Sequence, residues 1–205
     1  MYKRVLIVDY GVGNHLSVAH ALKRLGYSFV LSGDPKDIAE AEVFILPGVG
    51  AFQEAMKNLE SRGIVEPLRK RVLEEGKPLL GICLGMQVLA DSSSEGGEHK
   101  GLGFVPGRVE RIAGDVRVPH VGWEPLRVTK KEPLFVRLPQ GAQVYFDHSY
   151  RFVADAGHVA AVCEYGGETV AAVQKDNIFG VQFHPEKSHL AGLRLIKGFM
   201  EYAHE

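Results

Sequence analysis

Short apolar runs alternate with stretches of helical periodicity through the first half of the 205-residue chain, and that alternation leaves few folds open. Residues 3–9 read as a buried strand, followed by the turn Tyr10-Gly11-Val12-Gly13-Asn14. A helix then follows, whose Leu16, Ala19, Leu22 and Leu25 share roughly one face until Gly26 ends it. Residues 28–31 and 43–46 are the next strands, and Pro47-Gly48-Val49-Gly50 breaks the second. Helices are expected over 51–59 and 66–75, and residues 78–82 form a strand running into Cys83 and a helix carrying Leu84, Val88 and Leu89. Strands of this kind, each followed by a helix, build a parallel sheet covered on its faces.

The second half changes character. Residues 105–112, 126–129, 143–153, 159–164, 170–174 and 178–183 are strand-like, mostly antiparallel candidates, and a closing helix is expected over 190–203. Residues 92–97 read as a polar loop. The expected architecture is α/β: a flavodoxin-like open mixed sheet with a parallel core flanked by helices, plus an antiparallel strand extension, in one domain spanning residues 1–205.

Composition removes several classes of function. With 24 Lys and Arg against 25 Asp and Glu, the net charge of −1 is too balanced for a protein that holds nucleic acid by neutralising phosphates. No apolar run approaches the roughly 20 residues a membrane span needs, and Asp9 cuts short any signal-like segment behind Lys3 and Arg4. The only cysteines, Cys83 and Cys163, allow neither a disulfide scaffold nor a CxxC site, so a reduced cytoplasmic protein is expected. Gly11-Val12-Gly13 lacks the third glycine of a dinucleotide fingerprint, and the nine histidines, read mostly as surface or capping residues, form no metal spacing. No metal and no cofactor are expected.

The chemistry concentrates at Gly81-Ile82-Cys83-Leu84-Gly85, a nucleophile in a G-x-C-x-G frame where a strand meets a helix. Glycines on both sides admit the sharp turn of a nucleophile elbow, and a helix N-terminus favours thiolate over thiol. The alternative is a small buried cysteine packing like alanine, which is the reading for Cys163. A thiolate needs a base, and His184-Pro185-Glu186 follows an apolar strand, so that Glu186 can hold the His184 ring in one tautomer. Strand ends carry both Cys83 and His184, and in open α/β sheets the crevice lies at the carboxyl ends. Pro47-Gly48-Val49-Gly50 offers uncovered backbone amides that could join the Leu84 amide as an oxyanion hole, unless it is an ordinary tight turn.

G-I-C-L-G-M-Q at 81–87, P-G-V-G at 47–50 and F-H-P-E-K-S at 183–188, in this order and spacing, resemble the class I (triad-type) glutamine amidotransferase family from end to end. More narrowly, D-Y-G-V-G-N at 9–14, P-H-V-G-W at 119–123 and Y-F-D-H-S-Y at 145–150 are similar to the branch formed by glutaminase subunits of imidazole glycerol phosphate synthases. The resemblance implies that Cys83 attacks the side-chain amide of glutamine, His184 shuttles the proton and Glu186 orients it. It implies glutamine contacts at Gly48, Gln87, Glu95, His148, Ser149 and Tyr150, and oxyanion donors at Val49 and Leu84. It also implies a heterodimer with a (β/α)₈-barrel cyclase that consumes the ammonia. Pro119, His120, Val121, Gly122, Trp123 and Lys187 are the candidate interface, with a core position as the alternative for Trp123. Val121 stands where the branch has methionine, and Asp147 where it has an apolar residue. Rival readings are a glutaminase of another pathway, such as anthranilate, GMP or pyridoxal phosphate synthesis, a silent binding subunit, or a cysteine hydrolase on a related sheet.

Overall fold

The structure, a computed structural model, describes residues 3–205. Strand and helix alternate as β1 (Val5–Val8), α1 (His15–Arg24), β2 (Val30–Ser32), α2 (Pro35–Glu40), β3 (Val43–Gly48), α3 (Phe52–Ser61), α4 (Val65–Arg69), β4 (Leu79–Cys83) and the single-turn α5 (Leu84–Gln87). The second half is β5 (Ser92–Ser93), β6 (His99–Lys100), β7 (Gly107–Arg111), β8 (His120–Pro125), β9 (Arg127–Val128), β10 (Gln143–His148), β11 (Tyr150–Ala154), β12 (Val159–Glu164), β13 (Glu168–Lys175), β14 (Ile178–Val181) and α6 (His189–His204).

The main sheet runs β2-β1-β3-β4-β14-β13-β12-β9. It is parallel from β2 to β14, and antiparallel from there to β9. Side chains of a strand alternate between faces, and the core obeys that period. Val5 and Ile7 of β1 and Val43 and Ile45 of β3 join Val18, Leu22, Leu195 and Phe199 from α1 and α6 on one face. Leu6, Val8, Phe44 and Leu46 pack on the other face with Phe52, Leu59 and Leu68 from α3 and α4. Burying such side chains contributes roughly 1.5–3 kcal/mol each.

Several expectations are corrected. β3 continues through Pro47 and Gly48, because both pair with β4 before the chain leaves the sheet. The single strand expected over 143–153 is two strands in two sheets: β10 pairs with β8, and β11 with β7, the exchange falling at Ser149. Ser92 and Ser93 do not lie in a loop but pair with β6 and β7. The helix expected over 66–75 starts at Val65 and widens into a π-turn over Lys70–Glu74. Leu16 is 68% exposed, since α1 turns Val18, Ala19, Ala21 and Leu22 to the core. Strand β14 lies parallel to β4, at the junction between the parallel and antiparallel parts.

Candidate active site

Cys83 closes β4 and caps α5 at φ 55°, ψ −111°. This left-handed strand-to-helix corner is costly for any residue with a Cβ, and holding a side chain there takes close packing on all sides. The flanking glycines supply it. A Cβ on Gly85 would stand 1.7 Å from the Leu46 carbonyl oxygen, and one on Gly81 would stand 2.6 Å from the Gly85 carbonyl oxygen. Gly48, at the end of β3, sits equally tight, with the Tyr10 hydroxyl 2.4 Å from where its Cβ would be. Helix α5 therefore packs on the strands at a distance only glycine permits, and its first amides have no intrahelical acceptor.

The adjacent strand β14 delivers His184. Its ring donates from Nδ1 to Glu186 Oε1 at 2.8 Å, which leaves Nε2 for the thiol. The turn is fixed from its backbone: the His184 amide donates to the Tyr145 carbonyl at 2.9 Å, and the Ser188 hydroxyl donates to the His184 carbonyl at 2.6 Å. Burial alone would lower the basicity of this imidazole. Hydrogen bonding to Cys83 and to Glu186 outweighs it and pushes the pKa up to about 10, so the ring is held as imidazolium at neutral pH. Asn14, at the start of α1, adds a second hydrogen bond to Glu186 Oε1 at 3.3 Å.

Cys83 and His184 line one cleft of about 360 Å³ with Val49, Gly50, Leu84, Gln87, Glu95, Pro119, Asp147, His148, Ser149 and Tyr150. A comparable cavity of about 380 Å³ opens beside β1 and β2, lined by Lys3, Arg4, Tyr27, Ser28, Phe29 and His204, but it holds no thiol and no carboxylate to orient a base, so chemistry and not size singles out the first. Val49, Leu84, Gln87, Glu95 and the 148–150 segment are thus gathered around the thiol, whereas Gly48 does not line the cleft and instead pairs with Cys83 in the sheet. Glu95 accepts from the Phe52 amide at 2.8 Å, tying its loop to the start of α3. Among the described residues no group of three or more His, Cys, Asp or Glu is placed to hold a metal. No helix among them is long and apolar enough to cross a membrane.

The interface candidates divide. Val121 is 54% and Trp123 40% exposed; Trp123 stacks on His189 at 5.0 Å and meets Tyr145 edge-on, and the Lys187 ammonium lies over the Tyr145 ring. Pro119 is exposed and also borders the cleft. His120 is a correction: at 1% exposure it presents no surface, because β8 turns it inward between Phe146 and Tyr165. It faces His148, Nδ1 to Nε2 at 3.1 Å, while His148 Nδ1 donates to the Tyr150 carbonyl at 2.7 Å. With that carbonyl accepting only, both tautomers are fixed, and burial pushes both pKa values down to about 4. Three of the nine histidines, His120, His148 and His184, are buried. Cys163 is buried and unframed, and burial pushes its thiol up to about 12. The contacts of Asn14, Ser188 and Gln182 at the site, and the pairing of His120 with His148, have no signal in the local sequence.

Residues 6–201 match the model of the class-I glutamine amidotransferase family. A subunit named HisH of imidazole glycerol phosphate synthase from Geobacter sulfurreducens is 46% identical, over 97% of this chain and 98% of its own length. The subunit of that name from Aquifex aeolicus is 45% identical over 98% and 97%. Among solved structures, a glutamine amidotransferase superposes with a TM-score of 0.77 at 27% identity, covering 97% of this chain and 98% of the other. A GMP synthase subunit from Thermoplasma acidophilum shares the fold, with a TM-score of 0.74 at 20% identity over 99% and 94% of the two chains. With sequence, fold and cleft agreeing along nearly its whole length, the chain belongs to the class-I glutamine amidotransferase family, within its branch of HisH subunits.

Proposed function

We propose that this chain is the glutaminase subunit of an imidazole glycerol phosphate synthase, working through a Cys83-His184-Glu186 triad. The observation that carries the reading is the strained Cys83 corner facing an imidazole that Cys83 and Glu186 together hold in the charged form. In this mechanism the Cys83 thiolate attacks the side-chain carbonyl carbon of glutamine. The C–N bond of the tetrahedral adduct breaks as His184 gives its proton to the leaving nitrogen, releasing ammonia and a glutamyl thioester. Neutral His184 then takes a proton from water, which attacks the thioester and frees glutamate and thiolate. Amides of Leu84 and Val49 receive the oxyanion in both steps. Gln87, Glu95 and the His148-Ser149-Tyr150 segment hold the glutamine backbone, Glu95 offering a negative charge to its α-ammonium group.

The ammonia goes to a (β/α)₈-barrel cyclase on a second chain, docked against the exposed Val121, Trp123 and Lys187 surface. Val49 is 40% exposed at the cleft that Pro119 also lines, with glycine on each side, so the partner can set the orientation of its peptide. The experiment is glutamate release by the purified chain, alone and with its cyclase carrying an acceptor ligand. Release should be feeble alone and rise at least ~10-fold in the complex, the scale of a modest population shift. Full activity in isolation would refute the coupling, and no glutamate under either condition would refute the glutaminase.

A further inference from the structure

One buried polar side chain touches the nucleophile without belonging to the triad. The β14–β4 register pairs Val181 with Ile82, so the next residue, Gln182, lies beside Cys83. Gln182 is 0% exposed; its Nε2 stands 3.7 Å from Cys83 Sγ, and its Oε1 accepts from Gln87 Nε2 at 3.0 Å. Gln87 Nε2 also donates to the Tyr150 carbonyl at 2.9 Å.

The direction of this chain of amides is forced. The Tyr150 carbonyl can only accept, so the Gln87 NH₂ must face it. That same NH₂ meets Gln182, which must therefore present its carbonyl there; turned over, it would set donor against donor. The remaining end of Gln182, its NH₂, then points at the sulfur. A thiolate accepts an N–H bond far better than a thiol does, so a fixed donor at this position favours the charged nucleophile.

We propose that Gln182 is a further catalytic residue of this site: its carboxamide N–H holds the Cys83 sulfur as a thiolate aimed into the cleft, in an orientation imposed from the Tyr150 carbonyl through Gln87. The role rests on the glutaminase reading above. The donor acts twice in a turnover, on the attacking thiolate and on the same thiolate when water expels it from the thioester. Gln87 is the link through which the glutamine-facing wall and the nucleophile are set together.

Gln182→Met keeps the length and volume of the side chain and removes the donor. The test is the rate of Cys83 alkylation by iodoacetamide against pH in the free chain, located by peptide mass so that Cys163 is excluded. The alkylation midpoint is expected to rise by about one pH unit, so that at pH values below both midpoints the alkylation rate is roughly 10-fold below wild type. In the complex kcat should fall by a similar factor, with KM for glutamine within about twofold, since the lost contact is to the nucleophile and not to bound substrate. An unchanged midpoint in a folded variant overturns the proposal. If the variant does not fold, the side-chain amide resonances of Gln182 in the unaltered chain decide: they should move when Cys83 is alkylated or titrated, and their indifference overturns it equally. A wild-type chain that releases no glutamate would sink the glutaminase reading, while the alkylation and resonance arms would still report the Gln182 contact.

Discussion

Cys83, His184 and Glu186 are legible in the sequence because each stands in a short motif whose geometry is local: a glycine-framed corner, and two residues bracketing a proline. Gln182 is one position from the same motif yet illegible, since its partner is decided by the register of two strands nearly a hundred residues apart, and a shift of one residue would turn it to the other face. The His120–His148 pair is hidden for the same reason, created by the pairing of β8 with β10. That pair predicts an acid limb. Both rings have folded-state pKa values of about 4, below the ordinary value near 6.5, so between those limits the unfolded chain binds protons that the folded chain refuses. Glu124 stands 3.8 Å from His120 Nε2, beyond hydrogen-bonding distance, and does not offset the burial. The contribution of this pair should be intact above about pH 6.5 and be lost as pH drops toward 4. Urea midpoints measured across this window should show the loss, with a shallower slope in His120→Phe, which removes one of the two protons; an unchanged slope would contradict the account.

At the scale of elements, the parallel half was readable because its strands are short apolar runs bounded by charge or glycine. Helix α2 is not legible in the sequence because it has six residues of which only Ile38 is buried. Strand β8 is not legible because His120 is the only residue it buries, and proline ends it. What sequence periodicity could not state at all is how closely α5 approaches β3. The 1.7 Å between a Cβ on Gly85 and the Leu46 carbonyl makes Gly85→Ala a clash with backbone, which cannot rotate away. Gly85→Ala is expected to lose at least about 2–3 kcal/mol in urea denaturation, as overpacking of a rigid site does, together with glutaminase activity. Gly122→Ala is the control: nothing lies within 4 Å of its Cβ position, and its stability should stay within about 0.5 kcal/mol of wild type. Equal stability of the two variants would mean that α5 can retreat from the sheet.

On the scale of the molecule, β3, β4 and β14 end together beside the β8–β10 ribbon, so the chemical edge of the sheet and the exposed aromatic surface adjoin. Trp123 stacks on His189, five residues beyond His184, and this adjacency is how a docked chain can reach the triad. A large aromatic, 40% exposed, anchors an interface more than it supports its own fold. Trp123→Ala should therefore weaken binding of the proposed cyclase at least ~10-fold in titration calorimetry, while the urea midpoint of the free chain changes little. Unchanged affinity would move the docking surface elsewhere. The overall order of strands was legible as a class, parallel first and antiparallel later, but the insertion of β14 between β4 and β13 was not, because nothing local in residues 178–181 names their neighbours.

The central claim is that Cys83 carries the glutamyl group, and covalent capture tests it most directly. The chain in complex with its cyclase is exposed to an electrophilic glutamine analogue, with and without excess glutamine, and the modified peptide is identified by mass. The account predicts a single adduct on Cys83, suppressed by glutamine and absent in Cys83→Ala, which should also release no glutamate. An adduct on Cys163 or elsewhere, or glutamate released by Cys83→Ala at the wild-type rate, would contradict it.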